Sequence, residues 1–465
     1  MTRRSALRAL LTALTLIVAP TTAASATTPA APLRRADADV LVIGAGMAGL
    51  GAAVALKDQG VDVLVLEARP RIGGRVWSHT GLGAPLDLGA SWIHGVIGNP
   101  LSALTRQEGL VTARTNYENL LAYDVDGAEV DDARHARIDA RLAAFMGLVE
   151  TRRRELRRAG KADVSLQTAF EATLAASRLD PAERRELDYV VNTIIEHEYA
   201  ADIAELSLLH YDAGSSFSGG DVLFPNGYGQ IAEGLARGLR IELGTVVQQV
   251  SHGTDGVGVH TPRGVFRAGY AVVTLPLGVL QANAVRFVPD LPAPMRRAAM
   301  RLGSGVLNKL YLRFPRVFWA RDYELLGYIA GRKGEWAEWL NLAFYTGAPV
   351  LLAFNAAAYG RASEALPDAA FVAAGLETLR TIYGPRIPEP TGFVRTRWAA
   401  DPFARGSYSY LPPGATPADR QALAAPLNGR LFFAGEHTSV EHPATVHGAF
   451  LSGRRAAREV LGHVR

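Results

Sequence analysis

Three glycines and one acid at fixed spacing carry the first chemistry in this chain. Gly44, Gly46 and Gly49 form a G-x-G-x-x-G, and Glu67 follows the last of them by eighteen residues. The first glycine allows a tight turn, the second lets backbone approach a diphosphate, and the third lets a helix pack close to a strand. The helix N-terminus that follows offers free N–H groups and a positive dipole end to phosphate oxygens. A carboxylate at Glu67 accepts hydrogen bonds from ribose hydroxyls and repels a 2′-phosphate, which disfavours NADP. Glycine-rich turns are common, so the motif counts only with the right elements around it. They are present: residues 39–43 (DVLVI) read as a short apolar strand, residues 50–59 as a helix ended by Gly60, and residues 61–66 as a second strand delivering Glu67. This is a complete βαβ dinucleotide-binding unit.

The stretch after Glu67 and Ala68 selects among dinucleotides. Arg69 opens an R-P-R-I-G-G-R run through Gly74 to Arg75, and R-x-G-G-R in that place resembles the FAD-binding amine oxidase superfamily, which also holds carotenoid desaturases, protoporphyrinogen oxidases and a sugar mutase. Five later stretches are similar to one branch of it, the polyamine oxidases and the oxidase domain of lysine-specific demethylases. They are residues 89–95 (GASWIHG), Asn308-Lys309, residues 397–410 (RWAADPFARGSYSY), residues 435–438 (GEHT) and residues 443–449 (PATVHGA).

The resemblance covers the chain after residue 37 and implies an α/β fold. A discontinuous FAD-binding Rossmann-like domain (38–92, 222–284, 402–465) would interleave with an α+β substrate domain (93–221, 285–401) whose mixed sheet is flanked by helices. It implies FAD as cofactor, contacted at Gly44, Gly46, Gly49, Glu67, Ala68, Arg69, Gly74, Arg75, Gly89, Ala90, Ser91, Trp92, Val247, Trp398, Gly435, Glu436, Thr445 and Val446. Lys309 matches the family lysine that holds a water against flavin N5 and assists reoxidation by oxygen; a cation there stabilises charge forming on reduced flavin or superoxide. On spacing alone, Lys309 would instead face solvent on an amphipathic strand beside Arg313.

Trp398 and Tyr410 resemble the aromatic residues lining the flavin, with Thr445 opposite Tyr410. Thr445 stands where monoamine oxidases have a second tyrosine, which counts against small aromatic monoamines. His94 matches an active-site polar position of polyamine oxidases. Glu196 and Glu198, in I-E-H-E-Y, lie where the family places acids that pair with distant ammonium groups; an exposed helix end is the plainer alternative. Glu436 matches a residue near the FAD phosphates and ribityl chain, Val247 one whose backbone meets adenine, and Val446 one near the pyrimidine edge.

Composition narrows the rest. With 20% charged and 48% hydrophobic residues the chain is globular. Setting aside Arg3, Arg4 and Arg8 of residues 1–26 leaves 46 basic against 45 acidic residues, so charge gives no reason to expect nucleic acid. The chain has no cysteine, which excludes disulfides, thiolate metal sites and a cysteinyl flavin link, so FAD is expected to be noncovalent. No metal site is expected: there is no H-E-x-x-H, and His437, His442 and His447 follow no ligand spacing.

Arg3-Arg4, the apolar run 9–19 and Ala24-Ser25-Ala26 resemble a twin-arginine export signal with its cleavage site. The protein is therefore expected to be exported, without a stable membrane anchor. Residues 133–200 read as helical, residues 218–228 as a loop, residues 241–250, 256–260 and 265–268 as a meander, and residues 270–275 as a strand returning to the dinucleotide sheet.

The expected reaction is hydride transfer from the α-carbon of a neutral amine to flavin N5. Imine hydrolysis to aldehyde and amine follows, and oxygen becomes hydrogen peroxide. A small-molecule polyamine and oxygen are the expected partners. Histone-type demethylation is not expected, because the long helical insert of those enzymes is absent from the pattern. The rival on the same fold is an L-amino-acid oxidase, which needs a pocket arginine for the substrate carboxylate. A rival of another class is a flavin-binding module without turnover.

Overall fold

The computed structural model describes residues 36–464; the export-type segment lies outside them. Val40–Ile43 and Val63–Leu66 are buried on both faces and pair in parallel, with Met47–Lys57 as the crossover helix between them. Two glycines of that helix admit close packing. A Cβ on Gly49 would run into the carbonyl oxygen of Gly44, and one on Gly51 into Phe450 of the helix Val446–Val464. The two helices lie face to face over the sheet and share its apolar cluster.

The parallel sheet runs in the order Leu431–Phe433, Tyr270–Val273, Val40–Ile43, Val63–Leu66, Arg240–Glu242. Its strands come from segments nearly 400 positions apart, as a discontinuous Rossmann-like domain requires. The run Tyr270–Val273 returns beside Val40–Ile43 in register Val40 to Tyr270.

Residues 241–250 do not form one strand. Arg240–Glu242 closes the edge of the parallel sheet, whereas Gln249–Gly253 belongs to a separate four-stranded sheet with Gly256–Thr261, Gly264–Ala268 and Arg286–Val288. The chain breaks at Gly244, whose φ of +64° suits glycine. Gly244 N–H donates to the Arg69 carbonyl and Thr245 N–H to the Glu67 carbonyl. An apolar run cannot announce that break, and the break is what carries Val247 to the cofactor side.

The second layer is a six-stranded mixed sheet, ordered Gly392–Arg395, Leu307–Arg313, Val350–Ala356, Glu338–Asn341, Leu325–Tyr328, Leu120–Tyr123. All pairs are antiparallel except the last. Leu307–Arg313 is buried on both sides, so Lys309 does not face solvent. The expected helical stretch appears as Asp132–Ala159, Gln167–Ser177 and Pro181–Val191. It ends in a π-turn, Asn192–Glu196, followed by one turn of α-helix, His197–Tyr199. The expected loop 218–228 contains a short strand, Asp221–Leu223, which pairs with both Trp92–Ile93 and Ala113–Thr115. No helix among the described residues is long and apolar enough to cross a membrane.

Candidate active site

One cavity of about 1360 Å³ runs between the parallel sheet and the mixed sheet. That exceeds the roughly 300–1,000 Å³ of an ordinary ligand pocket and leaves room for a dinucleotide beside a second molecule.

At the dinucleotide end the wall is bare backbone. Gly44 and Gly46 face it from the first turn, with Gly74 opposite; a Cβ on Gly74 would stand 3.2 Å from the Gly46 Cα. Gly49 does not line the cavity. Its contribution is the helix–strand approach, so its contact with a cofactor is indirect. Glu67 is buried, and its two carboxylate oxygens accept from Ala45 N–H at 2.7 Å and Arg69 N–H at 2.8 Å. Each oxygen keeps a lone pair for a ribose hydroxyl. Ala68 and Val247 line the same end. The Arg69 guanidinium is committed elsewhere, in a two-pronged pair with Asp401 at 2.7 and 2.9 Å. What Arg69 offers a cofactor is therefore its backbone and stem.

Farther along, Glu436 sits buried where Leu431–Phe433 ends. Its carboxylate receives Arg75 Nη1 at 3.0 Å, Ser409 Oγ at 2.6 Å and Ala444 N–H at 3.1 Å. Burial alone would raise its pKa, but Arg75, His437 and Arg420 outweigh that and hold it at about 2. Gly435 lines the wall beside it, and the helix Val446–Val464 points its N-terminus, with Thr445 and Val446, into the cavity. Thr445 Oγ1 donates to the His442 carbonyl and accepts from Gly448 N–H, a local cap for that helix. This donor set fits FAD. It offers two helix N-termini and a cation for a diphosphate, an acid for ribose, and bare backbone where the cofactor must lie close.

Gly89, Ala90, Ser91 and Trp92 cross the middle of the cavity beneath Lys309. The Lys309 ammonium is fully buried and donates to the carbonyls of Asp87 at 2.7 Å and Gly89 at 2.6 Å and to Ser91 Oγ at 2.6 Å. Burial lowers its pKa to about 7, against a smaller opposing pull from the Asp87 carboxylate. Asp87 is itself pushed up to about 6 by burial, which outweighs its bonds from Ser78 and Tyr228 N–H and the nearby Lys309.

Cross-strand register sets Lys309, Phe354 and Glu338 in a row on one face of the mixed sheet. Trp398 is buried nearby, its indole N–H donating to the Leu88 carbonyl at 3.2 Å. Tyr410 is buried with its ring laid over Gly303, where a Cβ would strike it. Both aromatics and Thr445 line the same cavity, as do Lys309 and His94.

His94 stacks on Trp92 with ring centroids 6.5 Å apart, and its Nδ1 lies 2.7 Å from Asp221 Oδ2. Half its side-chain surface opens on the cavity although the ring lies deep in the protein. Burial opposes its charge, but Asp221 and Glu198 overcome this and raise its pKa. Tyr117 donates to the same Asp221 oxygen at 3.0 Å.

The expected pair of acids separates. Glu198 opens on the cavity. Glu196 does not: it is wholly buried behind the π-turn, accepting from Asn192 Nδ2 at 2.9 Å, Ile203 N–H at 3.0 Å and Lys333 Nζ at 2.6 Å. Its charge is already spent on Lys333, so Glu196 is withdrawn as a substrate ligand. Asp221, Tyr117 and Glu338 belong to no sequence motif. Only Asp221 carries a local signal, after two glycines and before an apolar run, and that pattern suits a loop equally well.

Known proteins match this chain closely. The family model for flavin containing amine oxidoreductase matches residues 47–461. The chain is 36% identical over 459 residues to lysine-specific histone demethylase 1 homolog 1 of Oryza sativa subsp. japonica, covering 94% of this chain and 54% of that protein. It is 37% identical over 436 residues to polyamine oxidase 4 of the same plant, covering 90% of this chain and 88% of that one. The chain thus spans about half the length of the demethylase relatives it matches. Among solved structures, wild-type putrescine oxidase bound to putrescine superposes with a TM-score of 0.74 at 21% identity, covering 92% of this chain and 99% of that one.

Proposed function

This chain belongs to the flavin-containing amine oxidoreductase family, and we propose that within it the protein is a polyamine oxidase cutting an aliphatic C–N bond. One observation supports the substrate class. The cavity wall built from residues 94–221 and 323–354 carries Glu118, Asp132, Asp139, Glu198, Asp212, Asp221 and Glu338. Among the described residues lining that part there is no lysine or arginine. Of the cavity's cations, Arg69, Arg75, Arg405 and Arg420 come from outside that wall, and Lys309, in the row with Phe354 and Glu338, has its ammonium bonded to the 87–91 segment. Such a chamber attracts a molecule with several ammonium groups and repels a carboxylate. An L-amino-acid oxidase would need an arginine there, which disfavours that rival.

Bound FAD supplies the hydride acceptor and, on reoxidation by oxygen, the source of hydrogen peroxide. The chain's own residues do the rest. Gly44, Gly46, Glu67, Arg75 and Glu436 hold the cofactor, and Trp398, Tyr410 and Phe354 make the apolar walls that orient an amine and exclude water. Lys309 supplies a buried cation beside the reacting region. Glu198 and Asp221 supply fixed negative charge at a distance from it. A second reading, oxidation of a methylated lysine on a peptide, is supported by the similarity to demethylases and uses the same acids.

Anaerobic mixing of the yellow protein with spermine, spermidine, their N-acetyl forms, putrescine, tyramine, L-amino acids and a dimethyl-lysine peptide tests both. Rapid bleaching of the flavin by a polyamine is the expected result. Bleaching by the peptide alone would move the function to the second reading, and bleaching by amino acids alone would sink both. Within the polyamine reading, Glu198→Gln is expected to raise KM about tenfold, the loss of one charge-assisted contact, with kcat little changed. Glu196→Gln is expected to lower stability and leave KM alone, reversing the equivalence that their spacing suggests.

Export is part of the same proposal and rests on residues 1–26. Replacing Arg3 and Arg4 together by lysine is expected to retain the protein in the cytoplasm of an expressing bacterium, read by fractionation; unchanged export would refute the twin-arginine route.

A further inference from the structure

Arg420 lies on the helix Pro417–Ala424 and was singled out by no motif. It is 2% exposed and lines the cavity beside Ser409 and Glu436. Its Nη1 donates to Ser409 Oγ at 2.7 Å and, more distantly, to the His437 carbonyl at 3.4 Å. Its Nε is buried with no hydrogen-bond partner. Ser409 Oγ in turn donates to Glu436, which also receives Arg75. The result is a chain, Arg420–Ser409–Glu436–Arg75, in which two buried or half-buried guanidinium groups share one carboxylate.

A buried guanidinium with an unmatched N–H is costly unless an anion completes it. The neighbouring carboxylate does not: Asp419 beside it caps its own helix at Thr416 and faces Arg301, and Glu436 already accepts from Arg75, from both the hydroxyl and the N–H of Ser409, and from Ala444 N–H. Arg75, Arg420 and Glu436 together carry one net positive charge, and they line the same cavity as the N-termini of Met47–Lys57 and Val446–Val464. We propose that Arg420 binds the diphosphate of FAD, as a second cation opposite Arg75 across Glu436. Burial lowers the Arg420 pKa to about 10, with Glu436 pulling the other way, which is the signature of a cation short of negative charge. Two phosphate charges would balance Arg75 and Arg420 while Glu436 keeps their forks aligned. This inference concerns the cofactor and stands whichever amine is the substrate.

The test uses holoenzyme with Arg420→Met, which removes the charge, and Arg420→Lys, which keeps the charge but not the fork. On repeated dilution and ultrafiltration the methionine protein is expected to release FAD about tenfold faster than the unaltered one, with the lysine protein between them. The ³¹P resonances of the bound diphosphate are expected to move in both. A variant that retains FAD at the unaltered rate with unmoved ³¹P resonances would overturn the proposal. So would a methionine variant that loses FAD when the lysine variant shows no ³¹P change, because that pattern marks Arg420 as a scaffold for Ser409 and His437 only. If the methionine variant does not fold, the ³¹P spectrum of the lysine variant decides alone.

Discussion

Lys309→Met is expected to slow reoxidation of the reduced protein by oxygen about 100-fold while leaving anaerobic reduction by amine within about threefold, to be read by stopped-flow absorbance. Removal of one preorganised charge from a dry site costs on the order of 10²–10³ in rate when charge forms there. The Lys309 ammonium qualifies: it is fully buried and fixed by three acceptors in the 87–91 segment. Hydride transfer leaves an iminium cation on the substrate beside the negative charge it creates, whereas superoxide formation has Lys309 as its nearby cation, so the two half-reactions should respond differently. Equal slowing of both would instead mark Lys309 as a pillar of the 87–91 segment.

The pH dependence follows with its sign. Burial brings Lys309 to about 7, below the ordinary lysine value. The charged form is present below that value and lost as pH rises through it, so the reoxidation rate constant should fall above about pH 7. In Lys309→Met that limb should disappear. A limb that persists unchanged in the variant would assign the titration to another group.

The βαβ unit was legible because its chemistry and its folding signal occupy the same thirty residues. The glycines that admit a diphosphate also set the turn and the helix–strand contact, so local pattern and function agree. The later motifs were legible by resemblance, and the structure gathers nearly all of them around one cavity, with Gly49 acting from behind it. Where reading failed, a backbone irregularity intervened. Glu196 and Glu198 are two apart, and the wider π-turn Asn192–Glu196 ends on the first of them while the second lies in the α-turn that follows. Helical spacing cannot tell which of the two then faces the cavity. The run 241–250 looked continuous because apolar composition does not record that Gly244 turns the chain between two sheets. Arg420 is a single arginine in an unremarked helix, and only its burial and its unmatched N–H distinguish it from the exposed arginines of Asp132–Ala159.

Glu436→Gln tests the other end of the cavity and should be the most damaging single change to the cofactor-free fold. Breaking a buried ion pair by neutralising one partner costs about 3–5 kcal/mol, because the other charge is left buried without compensation. Here two guanidinium groups, Arg75 and Arg420, lose their shared carboxylate. The acid limb of stability gives an independent reading. The Glu436 carboxyl is held near 2 in the folded chain against 4.5 for an ordinary glutamate. Its contribution is therefore complete above about pH 4.5 and is lost as pH falls toward 2, amounting to about 3 kcal/mol at 1.36 kcal/mol per unit. Chemical unfolding at successive pH values should show a shallower loss of stability between pH 5 and 2 in Glu436→Gln than in the unaltered protein. FAD should narrow the difference at neutral pH, since its diphosphate can balance the two arginines that the variant leaves exposed to each other. An unchanged acid limb would mean that the carboxylates lost on acidification lie elsewhere, and that the cluster at Glu436 is held by packing instead of charge.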